Sequence, residues 1–229
     1  MIKHHPNKEL LQAFACGDLP ASMSAAIAMH NEMCPNCQGA VTSITEQHAE
    51  CSFELTDSNV IADGFANSDH ASMLGFDMDA MIDSITTDSR VDSIAIRKPV
   101  TATVNGKIYQ LPRALQSMDI NRWISIGKLS RARVELNEGE VHSSLLHIEP
   151  GGTVPEHTHN GYEVTLLLDG SFSDDMGEYS KGDFIVLDGS HKHQPVTKEG
   201  CLCFTVANDA LHFTQGLNKL LNPFGNLIY

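Results

Sequence analysis

The stretch "MHNEMCPNCQ" places His30, Cys34 and Cys37 within eight residues. His30 and Cys34 are four apart, so on a helix they share a face. Cys37 follows Cys34 at the C-x-x-C spacing that grips one tetrahedral ion. Imidazole and thiolate donors favour zinc over hard, oxygen-preferring cations. Three donors leave a fourth position, and His4 or His5 at the chain start can close it as a His2Cys2 site. A C-x-x-C pair can also be a redox dithiol, but that motif follows a strand in an α/β fold, and the surroundings here read as helical. A second set lies in "GGTVPEHTHNGYEVTLLLDG". His157 and His159 point to the same side of a strand, and Glu163 returns toward them past an Asn-Gly turn. His193, in "GDFIVLDGSHKHQP", supplies a third imidazole, with His191 as a competitor. Three histidines and a carboxylate in a small barrel suit a divalent ion.

These residues need positioning elements. "NKELLQAFACG" reads as a short helix over 7–17, capped by Asn7 and ended by Gly17. A second helix is expected over 19–33, with Pro20 near its first turn. Pro35 breaks it, and a third is expected from about residue 38 to 55. "TDSN" (56–59) is turn chemistry. Met73, Leu74, Met78, Met81, Ile82 and Ile85 fall near helical spacing and predict a separate fourth helix over 71–85, whose apolar stripe can meet a partner. After residue 95 the texture changes. Short runs rich in β-branched and aromatic residues alternate with Gly, Asp and Asn, an all-β pattern that predicts a sandwich or small barrel. The last residues allow one short helix.

The bulk composition agrees with two modules. The chain has 229 residues, of which 41 % are hydrophobic, enough to bury a core. Its net charge of −14 is uneven: residues 1–95 carry 14 acids against Lys3, Lys8 and Arg90, and residues 96–229 carry 15 acids against 12 bases. The acidic half repels nucleic acid and suits a basic protein surface. No apolar run of eighteen residues exists, so no transmembrane helix is expected. The first residues lack an apolar signal core, which predicts a cytoplasmic protein without a membrane partner. Six cysteines are too few for a disulfide scaffold. Cys201 and Cys203, like Cys16 and Cys51, are expected to be buried thiols. His142 and His147 are expected to be structural, and His48, His70 and His212 to lie on the surface.

Residues 1–85 resemble the zinc-binding anti-sigma domain. The resemblance rests on "HNEMCPNC" after a small-residue helix, on the early histidines and on the four-helix pattern. In that family the domain clamps an extracytoplasmic-function sigma factor. Gly151, His157, His159, Glu163 and Gly170 fit the first cupin motif, G-x5-H-x-H-x3-E-x6-G. Gly182 and His193 fit the second, although Asp188 and Ser190 stand where Pro and Gly are usual. Together the halves resemble ChrR-type anti-sigma factors. The resemblance implies a helical zinc domain over 1–85, a linker over 86–98, a cupin jelly roll over 99–215 and a tail over 216–229. It implies His5, His30, Cys34 and Cys37 as ligands of one zinc. It implies His157, His159, Glu163 and His193 as ligands of a second zinc, or of iron, manganese or nickel. It further implies sequestration of a sigma factor and its release under singlet oxygen or organic hydroperoxide, through the second ion. The rival reading is a cupin dioxygenase or isomerase on iron or manganese, which has no use for the Cys/His cluster.

Overall fold

The computed structural model describes residues 1–54, 77–87, 99–159, 161–208 and 211–213. It joins helices near the N-terminus to a C-terminal β-sandwich. Three helices come first: α1 (Lys8–Cys16), α2 (Ala21–Met33) and α3 (Pro35–Glu54). Asn7 Oδ1 accepts the N–H of Leu10 at 2.8 Å, and Gly17 ends α1 at φ 77°, the left-handed turn that glycine adopts without strain. Pro35 does not merely stop α2. It opens α3 at the first helical position, where its missing N–H costs nothing, so α3 starts earlier than the expected residue 38. The next helix among the described residues, α4 (Met78–Thr86), begins with Asp77 as its cap. The expected positions 71–76, the turn 56–59, His70, most of the linker 86–98 and the tail 216–229 lie outside the described residues.

Among the described residues, twelve strands follow: β1 (Thr101–Val104), β2 (Lys107–Gln110), β3 (Asp119–Ile120), β4 (Ile124–Ile126), β5 (Leu129–Glu135), β6 (His142–Ile148), β7 (His157–His159), β8 (Tyr162–Asp174), β9 (Gly177–Ser180), β10 (Phe184–Asp188), β11 (Cys201–Ala207) and β12 (Leu211–Phe213). A short 3-10 helix, Arg113–Ser117, lies between β2 and β3. The main sheet runs β10-β8-β11-β6-β5-β3, all antiparallel, and β7 pairs with β12.

Alternation along the central strands sorts side chains onto two faces. Leu145, Val164, Leu166, Leu202, Phe204 and Val206 face one core; Ile148, Leu167, Ile185, Leu187, Cys201 and Cys203 face the other. The first core also contains Leu11, Met23, Ile27 and Met29 of the helices. α2 therefore covers one face of the sheet, touching β8, β11 and the 3-10 helix. Its small residues Ala25 and Ala26, almost fully buried, let the helix backbone approach closely. Glu32 accepts the N–H of Arg113 at 2.8 Å and tethers the end of α2 to the 3-10 helix.

Compact units follow this packing: residues 1–45 group with 99–229, and residues 46–98 form the other unit. The expected boundary at residue 85 rests on the family resemblance, whereas this grouping reflects the core that α2 shares with β8 and β11. Cys16 and Cys51 are exposed, contrary to expectation. Cys16 is the last residue of α1, whose buried side chain is Leu11, and Cys51 lies in the exposed second half of α3. Ile27 is fully buried at the helix–sheet core. Ile27→Ala should cost about 2–5 kcal/mol of stability, read as a lower denaturant midpoint with an unchanged slope; a shift below 1 kcal/mol would mean that this core is not as tightly packed as described.

Candidate metal centres

The junction of α2 and α3 builds the first cluster. His30 lies in the last turn of α2, Cys34 at the break and Cys37 in the first turn of α3. His30, Cys34 and Cys37 are buried, whereas His5 is exposed. One donor atom from each of the four lies within 4.8 Å of the others. His5 Nδ1 is 3.4 Å from both thiol sulfurs. His4 takes no part, because its ring packs on Tyr179 at 4.9 Å between centroids.

Two features fit a cation here. His30 Nδ1 donates to the Gly182 carbonyl at 2.8 Å, which leaves Nε2 as the lone-pair nitrogen. That Nε2 is buried without a hydrogen-bond partner. A buried orphan acceptor is costly unless something electrophilic fills its direction. Burial, and then contact with Cys34, push the Cys37 thiol up to about 11. Two adjacent buried thiols resist ionising together, and a bound cation reverses that preference.

The second cluster sits on the face of the sandwich away from α2. β7 carries His157 and His159, β8 opens with Glu163 near its start, and His193 follows β10. His157 and His193 exchange backbone hydrogen bonds of 3.1 Å in both directions. Glu163 Oε2 lies 3.1 Å from His159 Nε2 and 3.7 Å from His193 Nε2. All four residues are buried. Outer contacts set the tautomers: His157 Nδ1 donates to the Pro155 carbonyl at 2.8 Å, and His193 Nδ1 lies 3.3 Å from Asp174 Oδ2. Each leaves Nε2 for the cluster, the usual orientation of a metal-binding imidazole. Burial drives the His157 pKa down to about 4, against the opposing pull of Glu163. Burial raises Glu163, but the His159 hydrogen bond and the three imidazoles outweigh it and hold its carboxyl at about 2. A neutral His157 beside an ionised Glu163 is the combination of protonation states that a metal requires.

A narrow pocket, partly open to solvent, adjoins this cluster, with apolar walls from Leu146, Ile148, Val154, Phe172 and Cys203. Cys201 beside it, together with burial, pushes the Cys203 thiol well above its ordinary value. His147 donates to or accepts from the Tyr109 hydroxyl at 2.9 Å, a structural role, and His48 is exposed. The side chain of His212 lies outside the described residues. His191 does not compete for the cluster, because its Nδ1 lies 2.8 Å from Asp188 Oδ1. Asp188 also accepts the Ser190 N–H at 2.9 Å, so the two departures from the cupin pattern supply their own turn. The outer-shell groups Pro155, Asp174 and the Gly182 carbonyl carry no ligand-type spacing in the sequence. Gly182 is visible there only as the first residue of the second cupin motif.

Residues 113–210 match the model of the ChrR cupin-like domain, which defines the class of the β-sandwich. The chain as a whole resembles ChrR-type anti-sigma factors: it is 28 % identical over 225 residues to the anti-sigma-E factor ChrR of Cereibacter sphaeroides, covering 97 % of this chain and 98 % of that protein. The fold matches the crystal structure of Rhodobacter sphaeroides SigE in complex with the anti-sigma ChrR, at a TM-score of 0.63 and 21 % identity, over 90 % of this chain and 99 % of that one. Among the described residues no helix is long and apolar enough to cross a membrane.

The buried cluster sets a pH dependence for protein stripped of metal. His157 stays neutral when folded down to about pH 4, whereas the unfolded imidazole takes a proton below about 6.5. Stability should therefore fall as pH drops from about 6.5 to 4. Glu163 adds a second decline, from its ordinary value of 4.5 down to about 2. In thermal melts across this range, His157→Ala should reduce the upper decline, and it should also shrink the lower one, because His157 is one of the imidazoles that hold Glu163 down; an unaltered upper decline would assign it to other groups.

Proposed function

We propose that this chain is an anti-sigma factor and not an enzyme. In this reading it binds an extracytoplasmic-function sigma factor through residues 1–85 and keeps it from RNA polymerase. The observation that carries the reading is the similarity to an anti-sigma factor along 97 % of the chain, with both donor clusters assembled within it. The surplus of acidic residues over 1–95 suits a partner whose own surface binds nucleic acid. On α4, Met81, Ile82 and Ile85 are exposed, and an apolar stripe of this kind is what a helix offers to a partner's groove.

His5, His30, Cys34 and Cys37 hold one zinc ion in this proposal, with a structural role: four protein donors close the tetrahedron. His157, His159, Glu163 and His193 hold the second, zinc or another divalent ion such as iron, manganese or nickel. The second centre senses the oxidant, singlet oxygen or an organic hydroperoxide. The apolar pocket that His157, Glu163 and His193 help to line gives the cluster an opening toward solvent. The protein acts in the cytoplasm.

Elemental analysis of purified protein should find two metal equivalents. Cys34→Ser/Cys37→Ser should lose one, and His157→Ala/His159→Ala the other. A purified extracytoplasmic-function sigma factor from the same genome should co-elute with the full chain and lose run-off transcription on its addition. His157→Ala/His159→Ala should preserve that inhibition and abolish its relief by singlet oxygen or hydroperoxide. Loss of inhibition itself in this variant would contradict a sensor role for the second centre. Failure of every such sigma factor to bind would reject the anti-sigma reading.

A further inference from the structure

The turn between β9 and β10 holds the segment that carries His5. Asp183 is fully buried. Its Oδ1 accepts the N–H of Lys3 at 2.6 Å and of His4 at 2.9 Å; its Oδ2 accepts the N–H of Ser180 at 2.8 Å and the Ser180 hydroxyl at 3.2 Å. The His4 carbonyl in turn accepts the N–H of Phe184 at 3.0 Å. Lys3 and His4 thus lie along the start of β10, and His5 is the next residue. One position before Asp183, the Gly182 carbonyl receives the Nδ1–H of His30 at 2.8 Å. Gly182 has φ 92°, and a Cβ there would come within 2.5 Å of Ile2 Cδ1. The left-handed φ favours glycine here, and any side chain would have to displace the tip of Ile2. Two of the four donors of the first cluster are therefore held by one turn of the β-sandwich, although neither belongs to it.

We propose that the turn Ser180–Phe184 is the outer shell of the N-terminal metal centre, with Asp183 positioning His5 through the Lys3 and His4 backbone and Gly182 orienting His30. This rests on the reading of the cluster as a metal site. Residues 1–5 lie ahead of α1 in an irregular segment, and His5 is the exposed member of the set. Fixing its backbone removes the entropy that an untethered segment would lose on ligation. The same turn opens the β10 ladder, where Phe184 pairs with Leu166 and Leu187 pairs with Glu163. A displacement of β10 at Glu163 thereby reaches the histidine of the other cluster through three residues of one strand. The β-sandwich contacts the first centre directly, without passing through residues 86–98.

The test uses zinc-loaded full-length protein and a chromogenic chelator. Cys34→Ser/Cys37→Ser and His157→Ala/His159→Ala assign the two release phases. Asp183→Ala should release the ion of the Cys34/Cys37 site about ten-fold faster, with release from the histidine–glutamate site unchanged. Cys34 and Cys37 should become reactive toward a disulfide reagent at the same accelerated rate. Lys3→Pro removes one N–H from the terminal side and leaves the β-sandwich sequence intact. It should shift the same phase in the same direction and decides the matter if Asp183→Ala does not fold. Wild-type release rates in folded variants overturn the positioning role alone. A wild-type chain that binds no ion at His5, His30, Cys34 and Cys37 overturns the metal reading and this inference with it.

Discussion

The constraint on which the structure depends is the cost of burying donors without an acceptor for their lone pairs. Seven of the eight clustered donors are buried. Burial disfavours both a charged imidazole and an ionised thiol, as the depressed His157 and the raised Cys37 record. In an apolar interior such groups are stable only when each is aimed by an outer hydrogen bond and its free lone pair is filled. Three histidines meet the first condition: His30 on Gly182, His157 on Pro155, and His193 on Asp174. The scaffold spends much of its geometry on these contacts. The 3.1 Å bonds that join the His157 and His193 backbones are one such device, and the glycine at 182 is another.

The sheet serves two cores because its central strands alternate. β11 is buried along its whole length, "CLCFTVA", as a strand covered on both faces must be. One face receives α2 and the other lines the cavity and the second cluster. This explains why the small residues of α2 matter. A bulkier helix face would hold the sheet away from Ile27 and Met29 and loosen the strands whose opposite face carries Glu163. The two clusters thus lie on opposite sides of one closely packed layer.

Much of this was legible in the residues. Asn7 and Gly17 bounded α1 because capping chemistry is local. His157, His159 and Glu163 could be placed together because strand periodicity decides which side a residue faces. Pro35 was legible as a break but not as the first residue of α3, since the same ring ends one helix and starts another. The exposure of Cys16 and Cys51 escaped the sequence because burial of a thiol depends on its neighbours in space. Asp183 escaped for the same reason. Its partners lie 179 and 180 positions away, and a single aspartate after a glycine has no spacing that announces such a contact.

That contact changes how a two-module chain works. Charge and texture divide the sequence near residue 95, and a signal between modules would then have to travel along the connecting chain. The hydrogen bonds of Asp183 and Gly182 join the modules by another route. They tie the N-terminal segment and α2 to a β-sandwich turn, so residues 1–45 share a compact unit with 99–229 while 46–98 stand as a separate one. The first cluster and the sheet that carries the second are thus joined by direct hydrogen bonds: the Asp183 carboxylate holds the Lys3 and His4 N–H groups, and the Gly182 carbonyl holds the His30 ring.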